Sequence, residues 1–134
     1  MNCFQHERLD VYQKSIEFLA SAEEIARALP KGRAYLADQL RRAALSITLN
    51  VAEGAGEFAA ADKARFYRMA RRSATESAAI MDSCRVLSLV QLQDIARGRE
   101  ALLRIVAMLT AMVVKLSGSD SDSGSGSFRR CDQS

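Results

Sequence analysis

The sequence predicts an all-α protein, an antiparallel up-and-down four-helix bundle. Three observations point to it. Over the first 116 residues Leu, Ala, Arg, Glu, Met and Gln predominate, the residues that enter helices at least cost. Apolar residues recur at helical spacing, and no alternation of period two is sustained over several segments. Breakers are scarce, with one proline in 134 residues, and they fall between four long periodic stretches. With hydrophobic residues at 49%, a chain of this length forms one domain with a real core. The expected organisation is a bundle over residues 1–116 and a disordered tail over residues 117–134.

The first helix is expected from Asp10 to Leu29, stopped by Pro30-Lys31-Gly32. Tyr12, Ile16, Leu19, Ala26 and Leu29 make one apolar stripe, and Val11, Phe18 and Ile25 make a second at seven-residue spacing. The second helix is expected from Ala34 to Glu53. Gly54-Ala55-Gly56 would end it, because glycine takes the left-handed conformation at little cost. The third is expected to start near Asp62 as N-cap and to reach Leu87. Its inner seam reads Phe66, Met69/Ala70, Ser73, Ser77, Ile80, Cys84 and Leu87. The fourth spans Leu92 to Leu116, with Leu102, Val106, Leu109, Val113 and Leu116 at 4-3-4-3 spacing, the seam of an antiparallel bundle. Gly98 weakens its first half by up to about 1 kcal/mol relative to Ala. From Ser117 the composition turns to Ser, Gly and Asp, which cannot bury enough apolar surface to order the chain.

Charge and cysteines bound the setting. The net charge is +3, which permits a polyanionic partner without requiring one. Cys3, Cys84 and Cys131 are odd in number and share no metal or redox spacing, so they read as unpaired thiols in a reducing compartment. No export signal precedes Asp10. The longest uncharged apolar run, Ile105 to Val114, is half of the roughly 20 residues that a membrane span needs. A cytoplasmic protein that does not enter membranes is expected.

The second helix carries two apolar faces. At about 100° per residue, Leu36, Leu40, Ala43, Ile47 and Val51 fall on one side, and Leu45, Leu49 and Ala52 nearly opposite. A single bundle uses one face per helix. The other is expected to be a subunit interface, since contiguous exposed apolar patches mark association sites. Between the faces runs a polar edge of Gln39, Arg42, Ser46, Asn50 and Glu53. Ser46 and Asn50 are expected to bond across to Ser73, Ser77 and Glu76 of the third helix and to fix register.

A catalytic reading of that edge is poorly supported. Glu53 and Glu76 are the only candidate carboxylate pair for acid–base or metal chemistry. The single histidine, His6, stands outside the bundle and reads as solvated, and a di-iron bundle needs two Glu-x-x-His elements. There is no phosphate-binding glycine loop, no Cys-x-x-Cys and no Ser/His/Asp set, so neither enzyme activity nor a cofactor or metal is expected.

The third helix carries a different signal. Residues 61–85 hold six cations (Lys63, Arg65, Arg68, Arg71, Arg72, Arg85) against three anions (Asp62, Glu76, Asp82). Arg65, Arg68, Arg71 and Arg72 project within roughly a 120° arc turned from the inner seam. Only Glu76, four residues after Arg72, provides a countercharge at that spacing. Such a stripe seeks anions, and the planar guanidinium favours phosphates. These four arginines, with Arg41 or Arg42 assisting, are the candidate nucleic-acid contacts, and the binding would be electrostatic and weakly sequence-specific. The alternative is a protein-interaction scaffold that uses the second apolar face without binding nucleic acid.

Leu9-Asp-Val-Tyr-Gln13, Gln39-Leu-Arg-Arg-Ala-Ala-Leu-Ser-Ile47, Asn50-Val-Ala-Glu-Gly54, and then Ala70, Ser73 and Glu76 together resemble a known family. It is the four-helix-bundle family of proteins encoded in intervening sequences of bacterial 23S ribosomal RNA genes, which includes the accessory variability protein of diversity-generating retroelements. The resemblance covers Phe4 to about Val90. It implies an antiparallel four-helix bundle commonly assembled as a homopentamer, a nucleic-acid or reverse-transcriptase partner, and no enzymatic activity. The chain departs from the family pattern at Lys31-Gly32-Arg33, at Glu57 and at Arg72.

Overall fold

Proline ends the first helix and sets the first turn. In a computed structural model that describes residues 3–118, α1 (Asp10–Ala28) stops at Leu29, whose backbone is extended, as the residue before a proline must be. A short 3-10 turn over Lys31–Arg33 leads into α2 (Ala34–Gly56), followed by α3 (Ala60–Val86) and α4 (Leu92–Gly118). Another 3-10 turn, Gln5–Arg8, precedes α1. Each long helix packs on two neighbours, α1 and α3 both lying between α2 and α4, so the antiparallel four-helix bundle is as expected. The helix is continuous to Gly118, so Ser117 and Gly118, expected to begin the tail, are helical, and the rest of the tail expected over residues 117–134 lies outside the described residues.

The core corrects the stripes read from periodicity. On α1 the buried face is Val11, Ser15, Phe18, Ala22 and Ile25, while Ile16 is exposed. The heptad-spaced stripe is therefore the principal one, completed by two small residues that carry little hydrophobic signal. On α3 the seam is Tyr67, Ala70, Ala74, Ser77, Met81 and Cys84; Met69 and Leu87 are exposed, and Phe66 and Ile80 half-buried. Ala70, Ser73, Ser77 and Cys84 are thus buried as expected, whereas Tyr67, Ala74 and Met81 are core residues in place of the large neighbours Phe66, Ile80 and Leu87. On α4, Ile95, Leu102, Ile105, Leu109 and Val113 are buried, with Ile105 taking the place expected of Val106. On α2 the expected face of Leu36, Leu40, Ala43, Ile47 and Val51 is buried throughout.

Glycine does not end α2. The helix continues through Gly54 to Gly56, and no glycine among the described residues has positive φ. Gly54 is buried where α2 crosses α3; a Cβ there would lie 2.6 Å from Tyr67 Cε1 and 3.2 Å from Phe66 Cβ. The orphan carbonyls at the end of α2 are met by Lys63 of α3, whose Nζ donates to Gly54 O at 3.3 Å and to Ala55 O at 3.1 Å. Partial burial pulls the Lys63 ammonium below its ordinary pKa. The start of α3 is Ala60, and Asp62 lies inside its first turn without capping it.

The α3–α4 turn is a Schellman motif. Leu89 N–H donates to Cys84 O and Ser88 N–H to Arg85 O, each at 2.9 Å. Ser88 holds φ 61°, the left-handed position where a glycine fits best. Ser88→Gly is expected to stabilise the fold by about 0.5–1 kcal/mol, because the steric cost of an L side chain disappears. A raised urea midpoint with an unchanged slope would show it. Asp94 then starts α4 by accepting the Gln91 N–H at 2.9 Å.

Two smaller expectations are corrected. His6 is half-buried between Phe4, stacked at 5.6 Å, and Tyr12 at 4.5 Å, so it is not simply solvated. Cys84 is a free buried thiol, but Cys3 is disulfide-bonded, so the three cysteines are not all unpaired. Sulfur proximity depends on the fold, which sequence spacing does not disclose. The helix α4 is long and apolar enough to cross a membrane by length and composition, though its apolar core face is packed inside the bundle.

Candidate nucleic-acid interface

Burial of Tyr67, Ala70, Ala74 and Met81 turns the opposite side of α3 to solvent. Arg65, Arg68 and Arg72 stand on that side, exposed, and none of them closes an ion pair among the described residues. Asp62 and Glu76, the acids nearest in sequence, are exposed and bond to none of them. Arg71 is different. It is half-buried at the edge facing α4, where Nη1 donates to Thr110 Oγ1 at 3.4 Å. The expected stripe of four is thus a row of three with a fourth anchored beside it. The Arg65 guanidinium lies over the Phe66 ring, 4.5 Å from its centroid, a cation–π contact that orients its plane.

The two arginines of α2 diverge as expected, and they have different surroundings. Arg41 Nε and Nη2 donate to the two carboxylate oxygens of Glu23 on α1, at 2.9 and 3.3 Å, and Asp38 lies 3.9 Å away. This fork holds the Glu23 carboxyl below the usual range and raises Arg41 above its own. Arg41 therefore clasps α1 to α2 with its charge countered. Arg42 is exposed and closes no ion pair among the described residues.

The polar edge of α2 is partly the lock that was expected. Ser73 Oγ donates to Ser46 Oγ at 2.9 Å across the α2–α3 contact, and Asn50 Nδ2 donates to Ser46 Oγ at 3.0 Å and to Ser46 O at 2.9 Å. Ser77 bonds within its own helix, to Ser73 O at 2.9 Å. Glu53 and Glu76 take no part: both are exposed, and neither has a hydrogen bond or ion pair among the described residues. Long acidic side chains at the rim of the contact remain in water, since drawing them in would cost solvation with no cation to compensate. A second lock escaped sequence reading. Thr48 Oγ1 donates to Ser15 Oγ at 3.2 Å, and Ser15 Oγ to Tyr12 O at 2.6 Å, both serine and threonine buried. Single hydroxyls on apolar faces give no sequence signal for their pairing.

The second apolar face of α2 is exposed in the single chain: Leu45 at 45%, Leu49 at 54%, with Ala52 half-buried. The Ser15–Thr48 bond holds α1 alongside α2, and Ile16 of α1, next to Ser15 in sequence, is also exposed. Elsewhere an open groove of about 390 Å³ runs between α1 and α4, where Lys14, Arg97 and Arg104 alternate with Glu17, Glu24 and Glu100. Its charges cancel locally. Among the described residues no group of three or more His, Cys, Asp or Glu is placed to hold a metal ion. Two further ionisable groups lie in the core: burial pushes the Tyr67 hydroxyl up to about 12 and raises the Cys84 thiol, so both stay neutral near pH 7.

A family model described as 23S rRNA-intervening sequence protein matches residues 7–111. The chain belongs to that family. Its helix 2 motif and its α3 serine, on which the resemblance was read, lie inside the matched span and form the Ser46–Ser73 contact. The match does not extend the relation to the accessory variability protein of retroelements. No curated protein is matched by the sequence. For a member of the 23S rRNA-intervening sequence protein family the motif stretch of α2 is thus a helix-to-helix contact, and α3 carries a row of exposed arginines with no ion pair among the described residues.

Proposed function

We propose that this protein is a non-enzymatic homo-oligomer, a ring of five in the form that the family resemblance implies, which binds RNA or DNA through the arginines of α3. One observation carries the reading: Arg65, Arg68 and Arg72 form an exposed row with no carboxylate partner among the described residues. By contrast, Arg27, Arg41 and Arg99 are paired with Glu23 or Asp82, and Arg97 and Arg104 share their groove with three glutamates. A row of uncompensated guanidiniums is attracted to phosphates and releases their condensed counterions on contact, so sequence specificity is weak. Arg42 extends the surface on α2. Arg41, already engaged by Glu23, contributes less than was expected of it.

Oligomerisation is supported by the exposed face of Leu45 and Leu49, which lies off the arginine row. Assembly on that face repeats the row in every subunit, and phosphate contacts then add along one nucleic acid. The test is affinity for a labelled RNA or DNA as salt is varied, in the wild type and in Arg65→Glu/Arg68→Glu/Arg72→Glu. Binding that survives this charge reversal would place the contact elsewhere than on the row, and a wild type that binds neither RNA nor DNA would favour a scaffold whose partner is a protein.

A further inference from the structure

The turn between α2 and α3 displays the ring of Phe58 fully to solvent, at 100% exposure. A phenylalanine in that position gains nothing for the fold, because it buries none of its surface. The backbone that carries it is nonetheless well held. Glu57 N–H donates to Gly54 O at 3.2 Å, Lys63 N–H to Ala59 O at 3.0 Å, and the Lys63 ammonium bridges the last carbonyls of α2. Glu57 and Ala59, on either side, are both extended. The ring is therefore presented on an ordered turn, and a partner that covers it pays little for ordering it.

Phe58 stands at the same end of α3 as Arg65, whose plane is already oriented by the Phe66 ring. Ala59, extended, and the five helical residues Ala60 to Ala64 separate them, a span on the order of 10–15 Å. Arg68 and Arg72 continue the row over about 10 Å of helix axis measured from Arg65. An aromatic face and a guanidinium plane at the head of a line of cations is the equipment for stacking unpaired bases while their phosphates are held. A duplex offers such groups no base faces, because its bases are stacked on one another.

We infer that the nucleic acid taken by this surface is single-stranded, with Phe58 as a stacking platform and Arg65 as a second one. The inference rests on the arginine reading above and specifies its partner. The test is fluorescence anisotropy at fixed low salt with labelled oligothymidine and oligouridine strands of about 15 nucleotides, and with a DNA duplex of equal phosphate count. The wild type should bind the strands more tightly than the duplex. Phe58→Ala should weaken strand binding on the order of tenfold, leave duplex binding unchanged, and be rescued by Phe58→Trp. Circular dichroism should show the same helix content in all three proteins.

Strand affinity unchanged in Phe58→Ala, with steep salt dependence retained, would overturn the stacking role and leave the arginine reading intact. Equal loss for strand and duplex would also overturn it. Absence of binding to any of the three probes by the wild type would overturn both.

Discussion

Gly54→Ala is expected to destabilise the bundle by about 1–3 kcal/mol, although alanine is the better helix former. Helix propensity alone would favour the substitution by about 1 kcal/mol. The methyl group, however, would sit 2.6 Å from Tyr67 Cε1 and 3.2 Å from Phe66 Cβ. Tyr67 is 3% exposed and enclosed by core neighbours, so its ring has no free volume to retreat into. Overpacking must then shift α2 against α3, at the crossing that also aligns Ser46 with Ser73. A fall in melting temperature of at least about 4 °C is expected for a domain of this size. Gly98→Ala provides the control. A methyl there meets Met81 Sδ and Phe18 Cε1 at 3.4 Å, ordinary contact, so that variant should be neutral or slightly more stable. In a Tyr67→Leu background Gly54→Ala should cost less, since the clashing atom has gone. Equal stability of Gly54→Ala and wild type would show that the close approach does not constrain the fold.

Leu45→Glu/Leu49→Glu is expected to convert the assembly to monomers without unfolding them. Both side chains are about half exposed in the single chain, so the fold loses little when they change. In the proposed interface they are covered, and burial of a leucine is worth about 1.5–3 kcal/mol. Replacement by a carboxylate removes that gain and adds the cost of drying a charge. Mass photometry should show one subunit mass for the variant and a multiple of it for the wild type. Nucleic-acid affinity should fall with assembly, by about 10²- to 10⁴-fold if several rows engage one strand. A wild type that is monomeric at micromolar concentration would refute the interface role of Leu45 and Leu49.

How much of this was legible in the sequence depends on what each residue's neighbours reveal. The four helices and their order follow from periodicity and from Pro30, and every residue read onto α2's inner face is buried because Leu, Ile and Val mark it, although the small Ala37, Ala44 and Thr48 are buried there too. The seams of α1 and α3 were read only in part: Ala70, Ser73, Ser77 and Cys84 are buried as expected, but Ser15, Ala22 and Ala74 are small and were missed, while larger side chains such as Ile16, Met69 and Leu87 dominated the pattern. The end of α2 was misread for a related reason. Gly54 looks like a helix stop, but its lack of a Cβ serves the contact with Tyr67, and Lys63 supplies the cap from another helix. Local rules describe a chain end and do not see the element packed against it.

The candidate surface shows the same division. The direction of Arg65, Arg68 and Arg72 follows from helix geometry alone. That Arg41 is countered depends on Glu23, eighteen residues earlier on another helix, and that Arg71 leans to Thr110 depends on α4. Glu53 and Glu76 carried the right polarity for the α2–α3 lock, but their length leaves them in water. Phe58 was passed over because one aromatic in a turn has no periodicity to mark it; its exposure became visible only once α2 and α3 closed around the turn.

The central claim is that the uncountered arginine row of α3 binds nucleic acid. The most direct test is the slope of log affinity against log salt, from about 50 to about 200 mM, for wild type and for Arg65→Glu/Arg68→Glu/Arg72→Glu. Each phosphate contact contributes about −0.7 to the slope for a single strand and about −0.9 for a duplex. Three contacts from one subunit therefore predict a loss of about tenfold or more across that range, and engagement of several subunits a larger one. The reversed variant should bind weakly at low salt with a slope near zero. A shallow slope in the wild type, or a variant that binds as the wild type does, would contradict the claim.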